Sequence, residues 1–322
     1  MNRRSFLNAL GTALASSADG AFAQGPSGRP IRIVVPLPAG SSNDYVTRVQ
    51  APYLTASLGQ PVLVENKAGG NGIIGTMDVV KAAPDGQVLL LASLSPLAIN
   101  MAMVKNLPYD PRRDLTPIAG SSVTNHVLVV KSTFPARSFP EFIAHAKKNP
   151  GSVSVGYSTA SVQVQIATMN KLAGIDLLPV PYKGTPATIT DVVGGSLSAT
   201  LLDPGNALAQ VKGGHLRALA VSSLRRNPVT PDWPAISETL PGFDFSAWNA
   251  LMGPAGMSRE VVNRLNAAVN IALKQKDLID KYAQTGTVPL IMTPDELKAF
   301  IDAETTKWIR LAREANIQPE AL

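Results

Sequence analysis

The chain contains no cysteine. Disulfides, thiolate chemistry and a cysteine-borne lipid anchor are excluded at once. It has only 3 histidines, His126, His145 and His215, and no two stand at the spacing of metal ligands. Each reads as a surface or hydrogen-bonded side chain, and no metal site or cofactor is expected. Aromatic residues are 5% of the chain, and no stretch of Lys or Arg is dense enough to track a phosphate backbone. Nucleic acid is therefore not an expected partner. Long apolar runs are missing as well, since none reaches the roughly 18 residues of a membrane-spanning helix.

What is present is globular. Hydrophobic residues are 45% and charged residues 16% of the 322, a composition that buries a core. That length exceeds one ordinary core and argues for two domains. The formal charge of +6 is spread along the chain, and a mildly basic surface suits small acidic molecules. At the N-terminus, Met1-Asn2-Arg3-Arg4-Ser5-Phe6-Leu7 is a basic start. An Ala/Leu/Gly-rich stretch runs on to about Ser17, and Ala21-Phe22-Ala23 has a small-x-small cleavage pattern. Residues 1–23 are expected to be a secretory signal, outside the fold. Arg3-Arg4 fits twin-arginine export except that Asn2 stands where Ser or Thr is usual. The expectation is a soluble exported protein, periplasmic in a Gram-negative host, and by default a monomer.

Short β-rich runs alternate with helical stretches. Strands are expected at Ile31–Pro36, Pro61–Glu65, Gln87–Ala92, Val127–Val130, Val153–Tyr157, Leu177–Pro181, Leu197–Leu202 and Leu216–Ser222. Helices are expected at Ser41–Leu58, Ile73–Ala82, Phe139–Lys148, Val162–Leu172, Ala187–Val193, Ser258–Leu273, Lys276–Gln284 and Pro294–Ala315. The alternation argues for an α/β fold with mostly parallel sheets. In the first helix Ser41-x-x-Asp44 reads as a capping box, Gly59 as the terminator, and Pro52 should kink or shorten it. The Pro-rich segment 108–117 and the Pro/Trp-rich segment 228–242 read as surface stretches near domain crossings.

Two motifs suggest chemistry. Gly70-Asn71-Gly72-Ile73-Ile74-Gly75 is a literal G-x-G-x-x-G between a strand and a helix, but a dinucleotide fold also needs an acid after the next strand. That strand reads Gln87 to Ser95 with no acid, so a turn that lets the helix pack closely is the better reading. Gly156-Tyr157-Ser158-Thr159-Ala160 is close to the G-x-S-x-G nucleophile elbow, and Asp203 and His215 follow in hydrolase order. His215 adjoins Gly213-Gly214 at a strand start, where exposure is the commoner fate. An exported serine hydrolase using Ser158, Asp203 and His215 is the alternative reading. Asp44 and Arg48 stand four apart, which on a helix is a structural ion pair more often than an acid/base couple.

A third pattern recurs. Small-residue turns open helices at Gly40–Asp44, Gly69–Gly72, Ser158–Ser161 and Lys183–Ala187. Helix N-termini present unpaired N–H groups and positive dipole ends, and several around one crevice make a carboxylate site without arginine. Ligands of open α/β sheets sit at these strand ends.

Four segments, in order, resemble a known family. Pro36-Leu37-Pro38-Ala39-Gly40-Ser41-Ser42-Asn43-Asp44 is similar to the P-F-x-x-G-G-x-x-D loop of the tripartite tricarboxylate transporter substrate-binding receptors, also called Bug receptors. Val64 to Gly75 looks like their V-E-N-x-x-G-A-x-G-x-I-G segment. Tyr109 to Ile118 resembles Y-D-P-x-x-D-F-x-P-I, and Val180 to Gly195 resembles V-P-Y-K-G … D-L-L-G-G. The resemblance spans the whole expected mature chain. It implies a two-lobed periplasmic binding protein of the flytrap kind, type II-like, with helices on both faces of its sheets. Lobe 1 would combine residues 24–126 with 250–322, lobe 2 would be 127–249, and the ligand cleft would lie between them.

The implied function is non-enzymatic capture of a small organic carboxylate, delivered to membrane permease subunits; an orphan sensor without its own permease is a further alternative. By position, the resemblance carries over Leu37, Ala39, Gly40, Ser41, Asp44, Asn66 and Ser93 in the first lobe. In the second it carries over Ser158, Thr159, Gln163, Lys183, Gly184, Thr185 and Asp203. Asp44 is expected to fix its loop, since an acid beside a bound carboxylate would repel it. Leu37 replaces a usual Phe, which implies a pocket without its aromatic wall. Ser41 replaces Gly, and Gln163 replaces a common His.

Overall fold

The computed structural model describes residues 28–315 and residue 319; the signal read in residues 1–23 lies outside them. The first strand, β1 (Ile31–Val35), is apolar and buried except at half-buried Arg32. It leads through Pro36–Gly40 into α1 (Ser42–Leu58). Then come β2 (Val62–Asn66), α2 (Ile73–Val80) and β3 (Val88–Ser93). A π-helical turn, Ser95–Ile99, and one helical turn, Asn100–Met103, lead toward β4 (Leu115–Asn125). The middle of the chain supplies β5 (Val127–Lys131), α3 (Phe139–Lys148), β6 (Val153–Tyr157), α4 (Ala160–Ala173) and β7 (Leu177–Pro181). It continues with α5 (Thr185–Gly194), β8 (Ala199–Leu202), α6 (Pro204–Lys212) and β9 (Leu216–Val221). The last third is β10 (Ser246–Pro254), α7 (Arg259–Ala272), α8 (Lys276–Ala283), β11 (Val288–Pro289) and α9 (Pro294–Glu314).

Two sheets result, a six-stranded one in the order β11-β4-β10-β3-β1-β2 and a five-stranded one in the order β7-β6-β8-β5-β9. They are mixed rather than mostly parallel. β1 pairs parallel with β2 and β3, but β10 inserts antiparallel between β3 and β4. In the second sheet β6 pairs parallel with β7 and β8, and β5 is antiparallel to both its neighbours. The antiparallel insertions are the strands next to the crossings. A chain that has just changed sheets enters the new one from its far end.

Two strands that periodicity does not show, β4 and β10, lie at these crossings. β4 reads Leu-Thr-Pro-Ile-Ala-Gly-Ser-Ser-Val-Thr-Asn, with little β-branched alternation. Its glycine is required by close packing: a Cβ on Gly120 would collide with the Leu290 carbonyl oxygen. Pro117 is tolerated because a register shift in β10, between Leu251 and Met252, falls opposite it. β10 is buried along most of its length, so it shows no in–out alternation. α6 likewise has no expectation in the sequence pattern; Asp203 caps it and Pro204 opens it.

α1 continues through Pro52 to Leu58 and is not shortened by it. Pro52 lies on the exposed side, where the Arg48 carbonyl that loses its partner can face solvent. Gly59 ends the helix in the left-handed conformation, with its N–H donated to the Thr55 carbonyl. One face of the first sheet packs Ile31, Ile33 and Leu89 against α1 and α7. The other packs against α9, whose Trp308 is fully buried. Each such large apolar side chain contributes roughly 1.5–3 kcal/mol.

Candidate ligand cleft

The ends of β1, β3 and β4 and the start of β10 share one edge of the first sheet, because β10 runs the opposite way. The end of β6 faces them from the second sheet. Between these edges lies a cleft of about 530 Å³. One wall is Pro36 and Leu37 after β1, Ser42 and Asn43 at the head of α1, and Asn71 and Gly72 before α2. Ser93 to Pro96, with Ile99, Asn100 and Met103, come from the π-helical segment, and Ala247, Trp248 and Asn249 from β10. Ser158, Thr159 and Ser161 stand opposite, with Thr124 and His126 at the crossing. Among the described residues no Lys, Arg, Asp or Glu lines it.

The α1 end is set by its cap. Ser41 Oγ accepts the Asp44 amide at 3.3 Å, and the Ser41 carbonyl accepts the Tyr45 amide at 2.9 Å. The amides of Ser42 and Asn43 find no acceptor among the described residues and lie at the positive end of a 17-residue helix. Asp44 does not complete a capping box on Ser41. Its carboxylate takes the Gly40 amide at 2.9 Å and the Arg48 Nε at 2.8 Å. Arg48 also donates to Asn66, whose Nδ2 donates to the Leu37 carbonyl at 3.1 Å. Burial pushes the Asp44 carboxyl up, but the Gly40 amide, Asn66 and the Arg48 charge together outweigh it and hold it below the usual range. Asp44, Arg48 and Asn66 thus form a brace behind the loop.

The other walls are fixed from behind. Gly75 lets α2 abut β1: a Cβ there would lie 2.8 Å from the Lys67 carbonyl and 2.9 Å from Pro36 Cα. This is the packing role read in the G-x-G-x-x-G segment. The hydroxyl of buried Tyr109 donates to the Pro96 carbonyl at 2.8 Å and pins the π-helical turn, and burial raises its pKa to about 12. Asn100 donates to the Asn71 carbonyl at 3.1 Å. Trp248 supplies an aromatic wall, contrary to what Leu37 implied. Its indole N–H donates to buried Glu304 at 3.1 Å, which also accepts from Trp308 at 3.3 Å.

At the crossing, the His126 amide donates to Ser222 Oγ at 2.8 Å, and that hydroxyl donates to the Phe245 carbonyl at 2.6 Å. Ser222 therefore ties together both strands that pass between the sheets. The His126 ring keeps some surface in the cleft. Its surroundings desolvate it and lower its pKa, against the opposing pull of Asp203.

Residues 46–317 match the family described as the tripartite tricarboxylate transporter family receptor. The chain belongs to that family. Protein BugT of Bordetella pertussis is 36% identical over 290 residues, 89% of each chain. A solved R. palustris protein with adipate is 26% identical with a TM-score of 0.78, covering 91% of this chain and 99% of its own. MatC from Rhodopseudomonas palustris with bound malate is 28% identical with a TM-score of 0.71, covering 88% and 98%. The two-lobed fold is that of periplasmic binding proteins, and among the described residues no helix is long and apolar enough to cross a membrane.

Of the residues singled out from sequence, this family receptor brings Leu37, Ser93, Ser158 and Thr159 to the cleft. Ala39 and Gly40 are exposed on the rim loop, and Ser41, Asp44 and Asn66 fix that loop from behind. Thr185 stands one step back, its hydroxyl 3.4 Å from that of Ser158. Gly184 caps α5, Lys183 is exposed, and Gln163 is half-buried on α4 outside the lining. Asp203 spends both oxygens on Asn206, at 3.0 and 2.6 Å, as the cap of α6. His215 is exposed, and no hydrogen bond joins it to Ser158 or Asp203. Sequence reasoning missed Asn43, Asn71, Asn100, His126, Trp248 and Asn249. Most sit in strands or turns whose small and polar residues read as loop. Asn43 could have been found, since it opens the same helix as Ser41.

Proposed function

We propose that this receptor captures a small organic carboxylate in the periplasm and delivers it to membrane permease subunits. The observation that carries the reading is the head of α1. Among the described residues the amides of Ser42 and Asn43 have no acceptor, and they open onto a cleft lined by no Lys, Arg, Asp or Glu. Neutral donors and a helix dipole hold a carboxylate there. The adipate and malate held by the two R. palustris relatives support that class. Residues 24–126 with 250–322 act as one lobe and 127–249 as the other, closing across the Ser222–His126 crossing. Closure brings Lys183, Gly184 and Thr185 toward a ligand already touching Leu37, Ser93, Ser158 and Thr159. The protein is exported by its N-terminal segment, acts as a monomer and turns nothing over. Ser158, Asp203 and His215 have separate partners and surroundings, which favours the receptor over the hydrolase.

A thermal-shift screen of the purified protein against small carboxylates tests this. A ligand that binds only the folded state at a hundredfold excess over Kd adds about 2.7 kcal/mol of stability. No shift with any acid, together with ester turnover abolished in Ser158→Ala, would reverse the assignment.

A further inference from the structure

Two carboxamides in the cleft are left incomplete by the protein. Asn43 is 3% exposed and Asn249 is 7% exposed. Asn43 Nδ2 and Asn249 Oδ1 are both buried without a hydrogen-bond partner in the protein. Both side chains line the cleft, one from the head of α1 and the other from the first turn-side residues of β10. Native interiors pair the great majority of such atoms, so an unpaired one calls for an explanation; these two, unlike the other unpaired buried carboxamides and hydroxyl of the described residues, line the cleft.

Asn249 is held at its other end. Its Nδ2 donates to Ser122 Oγ at 2.9 Å, and a β10 register shift follows it directly. A carboxamide can rotate by half a turn, after which the Ser122 hydroxyl donates to Oδ1 and Nδ2 is the unpaired atom. Asn249 can thus present an acceptor or a donor. A hydroxyl, which both donates and accepts, satisfies either orientation. An ammonium group would be poorly matched, because among the described residues no Asp or Glu lines the cleft and Asp44 is committed to its loop.

We infer that Asn43 and Asn249 are specificity-determining residues, and that they select a hydroxylated carboxylate over the same acid without the hydroxyl. The inference rests on the carboxylate reading of the cleft and names the substrate class within it. One end of the ligand meets the α1 amides, and a hydroxyl further along its chain pairs the two carboxamides. A plain hydrocarbon chain leaves both buried amides unpaired, which is the most effective way a site rejects an analogue.

The test is calorimetric titration of the full-length protein with acid pairs that differ by one hydroxyl: malate and succinate, 3-hydroxybutyrate and butyrate, 4-hydroxybenzoate and benzoate. In whichever pair binds, the hydroxylated acid is expected to bind roughly tenfold tighter or more. Asn249→Leu and Asn43→Ala should each collapse that ratio. Asn43→Ala breaks no side-chain hydrogen bond found among the described residues, so its melting temperature should match or exceed that of the unmodified protein, which separates a ligand role from a structural one. Equal affinity within a binding pair, or a ratio unchanged in folded Asn43→Ala, overturns this inference alone. Failure of every acid in all three pairs and of a wider carboxylate panel overturns the carboxylate reading beneath it.

Discussion

The Gln165 carboxamide lies 3.0 Å from Nδ1 of His126. Gln165 is 1% exposed and sits on α4, while His126 is the residue at which the chain passes between sheets. The contact ties the second lobe's helix to the crossing. With Gln165 Nε2 as donor, Nδ1 is the acceptor and the ring is neutral, carrying its proton on Nε2.

That neutrality has a consequence for stability. The folded pKa of His126 is below the ordinary 6.5 because burial disfavours the cation. The unfolded chain therefore binds more protons, and stability is full above about pH 6.5 and falls as pH drops toward the lowered folded value. Melting temperature measured from pH 7.5 down to 5 should decline more for the native protein than for His126→Gln. Parallel curves would show that His126 is not the titrating group.

The brace behind the rim loop should respond asymmetrically. The Asp44 side chain is 7% exposed and that of Arg48 is 52% exposed. Asp44→Ala removes acceptors from the Gly40 amide and Arg48, and should cost about 1–3 kcal/mol. Arg48→Ala acts on a half-solvated ion pair and should cost less than about 1 kcal/mol. Urea denaturation of both variants checks the order. Ligand affinity should fall in Asp44→Ala even though Asp44 does not line the cleft.

Gly75→Ala should be costly. The new methyl group meets two backbone atoms at under 3 Å, and neither is the end of a flexible side chain. Overpacking of this kind costs roughly 1–3 kcal/mol. The displaced atom is Pro36 Cα, at the cleft wall, so binding should weaken with stability in the same titration series.

Glu304 governs the aromatic wall. It accepts from the indoles of Trp248 and Trp308 and pairs with Lys307 at 2.8 Å. Glu304→Ala leaves two buried N–H groups unpaired and should cost about 2–4 kcal/mol. Tryptophan emission should shift as the Trp248 ring loses its anchor, and a ligand-induced fluorescence change should shrink.

Regular amphipathic elements were legible in the sequence: β1, α3 and α7 stand within a residue of where their patterns place them. What was not legible depends on partners distant in the chain. β4 is a strand because β10 and β11 flank it, and Gly120 and Pro117 make sense only beside Leu290 and a register shift. The same holds for the cleft. Leu37 and Ser158 follow strands with recognisable turns, so their places could be read locally. Asn249 and His126 reach the cleft only because crossing strands bring residues over a hundred positions apart to one edge.

On the proposed function the cleft holds a free carboxylate and does not react with it. The most direct measurement is calorimetric titration of the purified protein with its best-binding acid, beside the methyl ester of that acid, at pH 7.5. The expected result is saturable one-to-one binding of the acid and loss of binding for the ester, with no methanol released. Equal binding of the ester, or its hydrolysis in a Ser158-dependent way, would contradict it.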